Sequence, residues 1–570
     1  MNILGDYISD LRKEFSGYNS KKLAKDVMAG ITVAAVALPL ALAFGVSSGA
    51  TAAAGLITAI IGGIIIGVFS GASFQMSGPT GAMTAILVTL AAKYGMQGIF
   101  IASFFAGIIL IIAGIFKLGR IIYFIPSSVI TGFTSGIAVI IALGQLDNFF
   151  GVTSEGDLAI VKLLSYFTDG FNPDIPTMCI GIAVVVFMFI WPQKLNAKVP
   201  SSLVAIILVL IVNHFAKFDV AVVGDIPKTL FLDERLSLSN LSIQQFWDLI
   251  IPALSIAALA MIESLLCVAS ASKLKKEEYN ADRELIAQGI GNAIIPFFGG
   301  VPATAAIART SVAIKAGCQT RMAGVVHALI LLLSMFVLSP IMSAIPLSAL
   351  AGVLIVTAWR MNDWENIKFI FSNNFKTGMA KFFITMGATI VLDLTQAIII
   401  GVSFAAILIV VRMTDIEINT ANVDGAKLKQ MGIDDTEAFN KIKVVYLTGT
   451  IFFAVTEKIK NKLNNIDGAK VIILSMRGVP VIDLSGIQAM LELVEELEEE
   501  GIKVMLTSVQ PKVESKLRQG GLIDIIGEDH IFQSAEFAIL EAGELLSASI
   551  INKYKLKNSI KIDLMLFLIY

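Results

Sequence analysis

From residue 27 to residue 412 the chain is a succession of apolar runs separated by short charged or Gly/Pro-containing breaks. The runs are about 15–22 residues long, close to the ~20 needed to cross a hydrocarbon core of ~30 Å. One such run fits a buried helix of a soluble protein. A dozen or more in series fit only a polytopic membrane protein. Composition agrees: 15% of residues are charged and 56% hydrophobic, where a soluble chain carries about 25% charged residues. Hydropathy, breaks and charges place spans at 27–46, 51–70, 78–92, 97–116, 125–145, 176–192, 200–215, 248–271, 284–297, 304–317, 322–338, 346–359, 376–393 and 395–412, fourteen in all.

Loop charges give the orientation, because cytoplasmic loops of membrane proteins carry excess Lys and Arg. The segment 1–26 holds Arg12, Lys13, Lys21, Lys22 and Lys25 and is unlike a secretory signal. Crossing alternately from a cytoplasmic start, the loops with Lys117/Arg120, Lys194/Lys198, Lys273 to Arg283, Lys315/Arg321 and Arg360 to Lys376 also fall inside. The opposite loops are acidic or uncharged: residues 146–175 set Lys162 against Asp147, Glu155, Asp157, Asp169 and Asp174. Fourteen spans with both ends cytoplasmic satisfy the whole pattern. A net charge of −2 gives no footprint for nucleic acid, and Cys179, Cys267 and Cys318 are too scattered for a disulfide framework or a metal set.

Two of the spans too short to cross as helices also follow a Gly/Pro break. One follows Gly71-Ala-Ser-Phe-Gln-Met-Ser-Gly-Pro79 and the other follows Gly299-Gly-Val-Pro302. Each reads as an extended stretch, then Gly and Pro, then a helix of small residues, with proline in the first turn where its missing N–H has no cost. Pro79 to Ala85 aligns without gaps with Pro302 to Ala308. The two are third and tenth of fourteen, hence each third in a half of seven, and an odd number of crossings inverts the second half. Paired broken helices in inverted halves point to a transporter's central site. Two facing helix N-termini offer free N–H donors and partial positive charge to an anion, worth about 0.3–2 kcal/mol for each dipole. Gly78, Gly81, Ala82, Ala305 and Ala306 keep that backbone reachable, and Thr80, Thr84 and Thr304 add hydroxyls.

Glu263 lies inside the eighth span, where a charge costs about 2.5–3.5 kcal/mol and so faces a cavity or a partner. Arg309, two turns into the tenth span, either attracts the substrate or balances Glu263. A structural ion pair and a coupling site, with Glu263 holding a proton or cation, are both open. Cys267 shares the helix face of Glu263, lining the site or packing beside it. Asp393 is expected at the exterior surface.

Beyond Arg412 the composition changes. Residues 413–440 are polar and read as a linker. From 441 to 548 a β/α alternation follows, with strands at 443–448, 470–475 and 503–507 and helices at 484–500, 510–519 and 535–547. The tail 549–570 ends in an apolar run too short to span. The chain carries no P-loop or HExxH, which argues against a metalloprotease-type enzyme or an ATP-driven pump.

Ala29 to Gly45, Ile262-Glu-Ser-Leu-Leu266, Asn280 to Asn292 and Gly299 to Thr310 together resemble the SulP anion transporters, also called solute carrier family 26. The turn Val481-Ile-Asp-Leu-Ser-Gly486 resembles the STAS domain that those proteins carry. The resemblance implies a UraA-like fold of seven-plus-seven inverted repeats, core and gate parts moving as an elevator, and a homodimer. It also implies an anion site formed by Thr80, Gly81, Ala82, Thr304, Ala305, Ala306 and Arg309. Sulfate, bicarbonate and C4-dicarboxylates all suit such a site, and an uncoupled channel or exchanger is the other class. "LPLALAFG" and "PTGAMT" are most similar to cyanobacterial sodium–bicarbonate members. Those have Asp at Glu263 and Thr at Cys267 and Ile307, so coupling through Glu263 and Cys267 is expected to use a proton in preference to sodium. No resident cofactor is expected. In free-standing STAS relatives the serine matching Ser485 is phosphorylated; here Asp483 and Ser485 either cap a helix or serve regulation and partner docking.

Overall fold

The computed structural model describes residues 3–120, 125–154, 159–168, 170–192, 195, 199–237, 243–392, 394–424, 428, 438–463, 466 and 468–546. Lys194, Lys198, Glu155, Asp157, Asp169, Asp393 and the tail 549–570 lie outside the described residues. The chain forms two compact units, Met1–Ala405 and Ala406–Tyr570.

A helix occupies each of the fourteen expected spans: Ser20–Ser47, Ala52–Phe69, the two halves of Gly81–Ile115, Ser127–Gly144, Ile175–Ile190, Ser201–Ala216, Ile243–Lys275, Ala281–Ile294, Ile307–Lys315, Met322–Val337, Leu347–Met361, Lys376–Val391 and Leu394–Met413. The third and fourth spans run on as one 35-residue segment. At 1.5 Å per residue a straight helix of that length would reach about 52 Å. Gly95 breaks it, with φ 65° and ψ −172°, a conformation that suits glycine. Short strands precede the two broken spans: β1 is Ser77–Gly78 and β2 is Thr304–Ala305.

The spans pack as two groups. Spans 8 and 9 lie along the Gly81–Ile115 segment, span 11 along spans 1 and 2, and span 10 against spans 1 and 8. In the second group span 13 lies on span 5, and span 12 on span 6, with span 12 also touching spans 1 and 5. Without a hydrophobic drive between helices in lipid, small residues set these contacts. A Cβ on Gly107 would sit 2.6 Å from Gly289 O, and one on Gly289 would sit 2.6 Å from Gly107 O.

The N-terminal segment is built into this unit. Helix Ile3–Glu14 crosses the end of span 2. Glu14 Oε2 accepts from Arg321 Nη2 at 2.7 Å, the side chains being 10% and 5% exposed. Asp10 pairs with Arg283 at 2.6 Å but is 43% exposed. Tyr7 Oη and Arg321 Nη1 donate to Val68 O, and Arg283 Nη2 donates to Gly71 O. Cations thus meet the last carbonyls of span 2, where the helix dipole favours them. Asp26, fully buried, accepts from Gln319 N, Thr320 N and Thr320 Oγ1 and ties the loop after span 10 to span 1.

The second unit has a five-stranded sheet in the order β3 Glu417–Asn422, β4 Ile442–Thr448, β5 Val471–Gly478, β6 Lys503–Thr507 and β7 Ile531–Phe532. β3 is antiparallel to β4 and the other pairs are parallel. The region read as a linker, 413–440, therefore contains a strand. Its sequence hid it because β3 is an edge strand whose residues are almost all exposed, so Glu-Ile-Asn-Thr-Ala-Asn shows no apolar alternation. β5 is buried on both faces: Ile472 and Leu474 meet helix Leu484–Glu499, while Val471 and Ile473 meet helix Ala535–Leu546. That explains its unbroken apolar run.

Removing Glu14 leaves a buried arginine unpaired. Glu14→Ala is expected to cost about 3–5 kcal/mol, and Asp10→Ala under about 1 kcal/mol. Thermal midpoints of the purified full chain in detergent should fall in that order.

Candidate functional site

The two breaks meet. β1 and β2 pair antiparallel, Ser77 opposite Ala305 and Gly78 opposite Thr304, and Ala306 N donates to Met76 O at 2.9 Å. The helices that follow begin at Gly81 and Ile307, with Thr80 and Ala306 as N-caps. This corrects two expectations. Neither proline lies in a first turn: Pro79 precedes the N-cap, and Pro302 lies in the extended stretch before β2. The ungapped alignment is also displaced, since Thr80 corresponds in the fold to Ala306 and not to Ala303. Proline ends extended structure as readily as it starts a helix, because it also disfavours α conformation in the residue before it. Sequence alone could not separate the two uses.

Neither N-cap side chain bonds its own helix. Thr80 Oγ1 instead donates to Glu263 Oε2 at 2.9 Å, and Thr304 Oγ1 donates to the same oxygen at 2.7 Å. The two hydroxyls are 3.1 Å apart. Three oxygens from spans 8, 3 and the approach to span 10 therefore form one triangle. Glu263 is half-buried, while Thr80 and Thr304 are buried. Ser264, which sequence reasoning overlooked, accepts from Ala305 N at 3.2 Å and holds β2 to span 8.

Arg309 is 1% exposed and donates through Nη2 to Pro79 O at 2.5 Å. Its Nη1 has no hydrogen-bond partner among the described residues. No ion pair joins Arg309 to Glu263 among the described residues. The guanidinium instead bridges span 10 to the backbone at the head of span 3. Gly81, Ala82, Ala305 and Ala306 are buried around the crossing. Thr84 turns its hydroxyl to Gly81 O at 2.7 Å and does not reach the triangle. Cys267 is buried with Sγ 3.5 Å from Thr310 Oγ1, one turn away from Glu263. Ile307, the first residue of span 10, is 46% exposed.

Chemically, the crossing joins two uncapped helix N-termini, a buried cation and a carboxylate with two hydroxyl donors. The N-termini and Arg309 suit an anion. The carboxylate suits a proton or a small cation. In the second unit, Asp483 is the N-cap of helix Leu484–Glu499 and accepts from Gly486 N at 2.7 Å. Ser485 lies in that helix's first turn, half-buried.

Gly78 permits the close approach of Arg309, since a Cβ there would sit 2.4 Å from Nη1. Gly78→Ala is expected to cut transport by about tenfold or more, an equivalent of about 1.4 kcal/mol. Gly67→Ala, with nothing within 4 Å of the added carbon, should leave it unchanged. Initial uptake rates in proteoliposomes check the pair.

Residues 23–388 match the model of the sulfate permease family, and residues 435–538 match the STAS domain. The chain is 32% identical over 538 residues to YvdB of Bacillus subtilis, named as a candidate sulfate transporter, covering 91% of this chain and 97% of that one. It is 28% identical over 546 residues to the bicarbonate transporter BicA of a Picosynechococcus, covering 92% and 95%. Among solved structures, the transmembrane domain of a cyanobacterial BicA matches with TM-score 0.62 at 30% identity, covering 67% of this chain and 98% of that one. The murine solute carrier 26 family member A9, an anion transporter, matches in fold with TM-score 0.81 at 17% identity, covering 94% and 93%. A crossing of two broken helices, a family match over most of the membrane unit and a STAS match over the second unit agree: the chain belongs to the sulfate permease family, the SulP or solute carrier 26 anion transporters, with a C-terminal STAS domain.

Proposed function

We propose that the chain is a secondary active carrier of a small inorganic anion, sulfate or bicarbonate, across the plasma membrane. The anion binds between the N-termini of spans 3 and 10, and a proton carried by Glu263 couples to its movement. The single observation that carries the reading is the convergence of Thr80 and Thr304 on Glu263 Oε2, at the point where two uncapped helix N-termini cross. Anion donors and the carboxylate are thus neighbours. An anion and a proton that share one site neutralise each other's charge, which lowers the cost of carrying both through a low-dielectric medium.

Arg309 adds a fixed positive charge beside the anion, and its bond to Pro79 O keeps that charge at the crossing. The names of the relatives support both sulfate and bicarbonate as substrates. Proton coupling is favoured over sodium because Cys267 and Ile307 stand where a sodium-type set would have threonine oxygens, and Glu263 stands where it would have the shorter aspartate. The spans divide between a group holding the crossing and a group built on spans 5, 6, 12 and 13, a division suited to elevator movement of one against the other. The carrier works as a homodimer with both termini cytoplasmic, an orientation that the basic loops favour, and the STAS domain offers a surface to a cytoplasmic partner.

Uptake of sulfate, bicarbonate and a C4-dicarboxylate into proteoliposomes, with and without proton or sodium gradients, tests the substrate. Saturable flux of one of the first two, driven by acid outside, is expected. Saturable flux of the dicarboxylate alone makes the chain a dicarboxylate carrier, and current without coupling makes it a channel. Glu263→Gln is expected to abolish acid-driven uptake while anion binding persists. Acid-driven uptake that survives this change removes Glu263 from the coupling role.

A further inference from the structure

A pairing of two residues per strand is too short to hold its own register; even a whole hairpin is marginal alone. Yet the distance between Thr80 and Thr304 depends on that register. The ninth span supplies what the strands lack. Glu284, Gln288 and Asn292 recur at every fourth residue of helix Ala281–Ile294 and all three are fully buried. Successive rungs rise about 6 Å on one helix face, about 12 Å in total.

Each rung holds a different part of the crossing. Glu284 takes the stretch that leaves span 2. Its Oε2 accepts from Ser70 Oγ at 2.5 Å and Gly71 N at 3.0 Å, and its Oε1 accepts from Gln75 Nε2 at 2.7 Å. Gln288 takes β1, with Nε2 donating to Ser77 Oγ and to Glu284 Oε1, both at 2.9 Å. Asn292 takes the approach to β2. It exchanges two bonds with Ala303, Nδ2 to Ala303 O at 2.9 Å and Ala303 N to Oδ1 at 2.8 Å, much as a neighbouring strand would.

The order of dependence within the ladder is visible. Gln75 and Gln288 both turn their amide NH2 to Glu284, and each leaves its own oxygen without a partner among the described residues. A buried orphan oxygen is costly, so the carboxylate dictates both orientations. All four groups facing Glu284 donate, and only a group with acceptors on both oxygens satisfies them.

We propose that Glu284, Gln288 and Asn292 are positioning residues of the transport site: one polar face of span 9 sets the register of β1 against β2, and through it the spacing of Thr80 and Thr304 around Glu263. None of the three reaches the triangle itself. The proposal rests on the reading of that triangle as the substrate and coupling site.

The test separates positioning from stability. In proteoliposomes, Asn292→Ala is expected to raise the KM for the transported anion by about 10–100-fold, the usual effect of losing a supporting residue, with Vmax much less affected. Ser77 and Ala305 face each other across the pairing, so Ser77→Cys with Ala305→Cys in the Asn292→Ala chain should lock the register by a disulfide. Because Ala305 belongs to the proposed anion site, the reference is the same cysteine pair with Asn292 intact: the oxidised Asn292→Ala chain should come within about threefold of that KM and rise above it again under reductant. A KM that Asn292→Ala leaves unchanged, or that the disulfide does not restore, overturns the proposal. If Asn292→Ala does not yield folded protein, Asn292→Asp takes its place: it keeps the acceptor for Ala303 N, loses the donor to Ala303 O, and is held to the same two outcomes. Glu263→Gln in the same assay keeps the two readings apart. Loss of acid-driven uptake with an unchanged KM in the span 9 variants sinks the ladder alone. Retained acid-driven uptake with raised KM in those variants sinks the coupling reading alone.

Discussion

Unwound backbone within a bilayer has to find its hydrogen bonds inside the protein. Each unsatisfied group in hydrocarbon costs several kcal/mol. Two stretches of this chain break helix at the centre of the membrane unit, and the surrounding architecture answers to that. β1 and β2 satisfy part of each other. Thr310 takes Met76 N, Ser264 takes Ala305 N, Thr58 takes Val301 O, and Asn292 takes both groups of Ala303. Spans 2, 8, 9 and 10 are therefore bound to the crossing by polar contacts, not only by packing.

The same economy explains why the site is poor in charge. In the proposed role, two helix N-termini and one arginine give an anion donors without a strongly held counter-charge. An anion that must leave again is served by such a site. Arg309 spends one hydrogen bond on Pro79 O and lacks a carboxylate partner within ion-pair distance among the described residues. The carboxylate nearby is engaged by neutral hydroxyls instead. Keeping Arg309 and Glu263 apart suits the proposed roles, one beside the anion and one carrying the proton, whereas a direct pair would consume both.

Much of this architecture was legible in the sequence. Fourteen apolar runs, the interruption between residues 92 and 97 and the alternation after residue 441 follow from hydropathy, helix length and strand periodicity. Thr80, Thr304, Glu263 and Arg309 could be picked out because charge, or a Gly/Pro break, is rare where lipid surrounds the chain. β3 was illegible because an exposed edge strand needs no apolar face. The span 9 ladder had a signal in its four-residue spacing of Glu284, Gln288 and Asn292. On a helix, however, such a face reads equally well as a lining of the pathway.

The sequence by itself determined that this chain lives in a membrane, that two of its spans are broken and that a second, α/β unit follows. Those are consequences of local composition, which acts over one helix or strand at a time. Only the tertiary structure decided where each broken helix begins, that Thr80 and Thr304 share one oxygen of Glu263, and that Arg309 turns to a carbonyl and not to that carboxylate. These are contacts between residues some 40 to 230 positions apart. They depend on how helices cross, and side-chain reach of a few ångströms cannot be read from spacing along the chain.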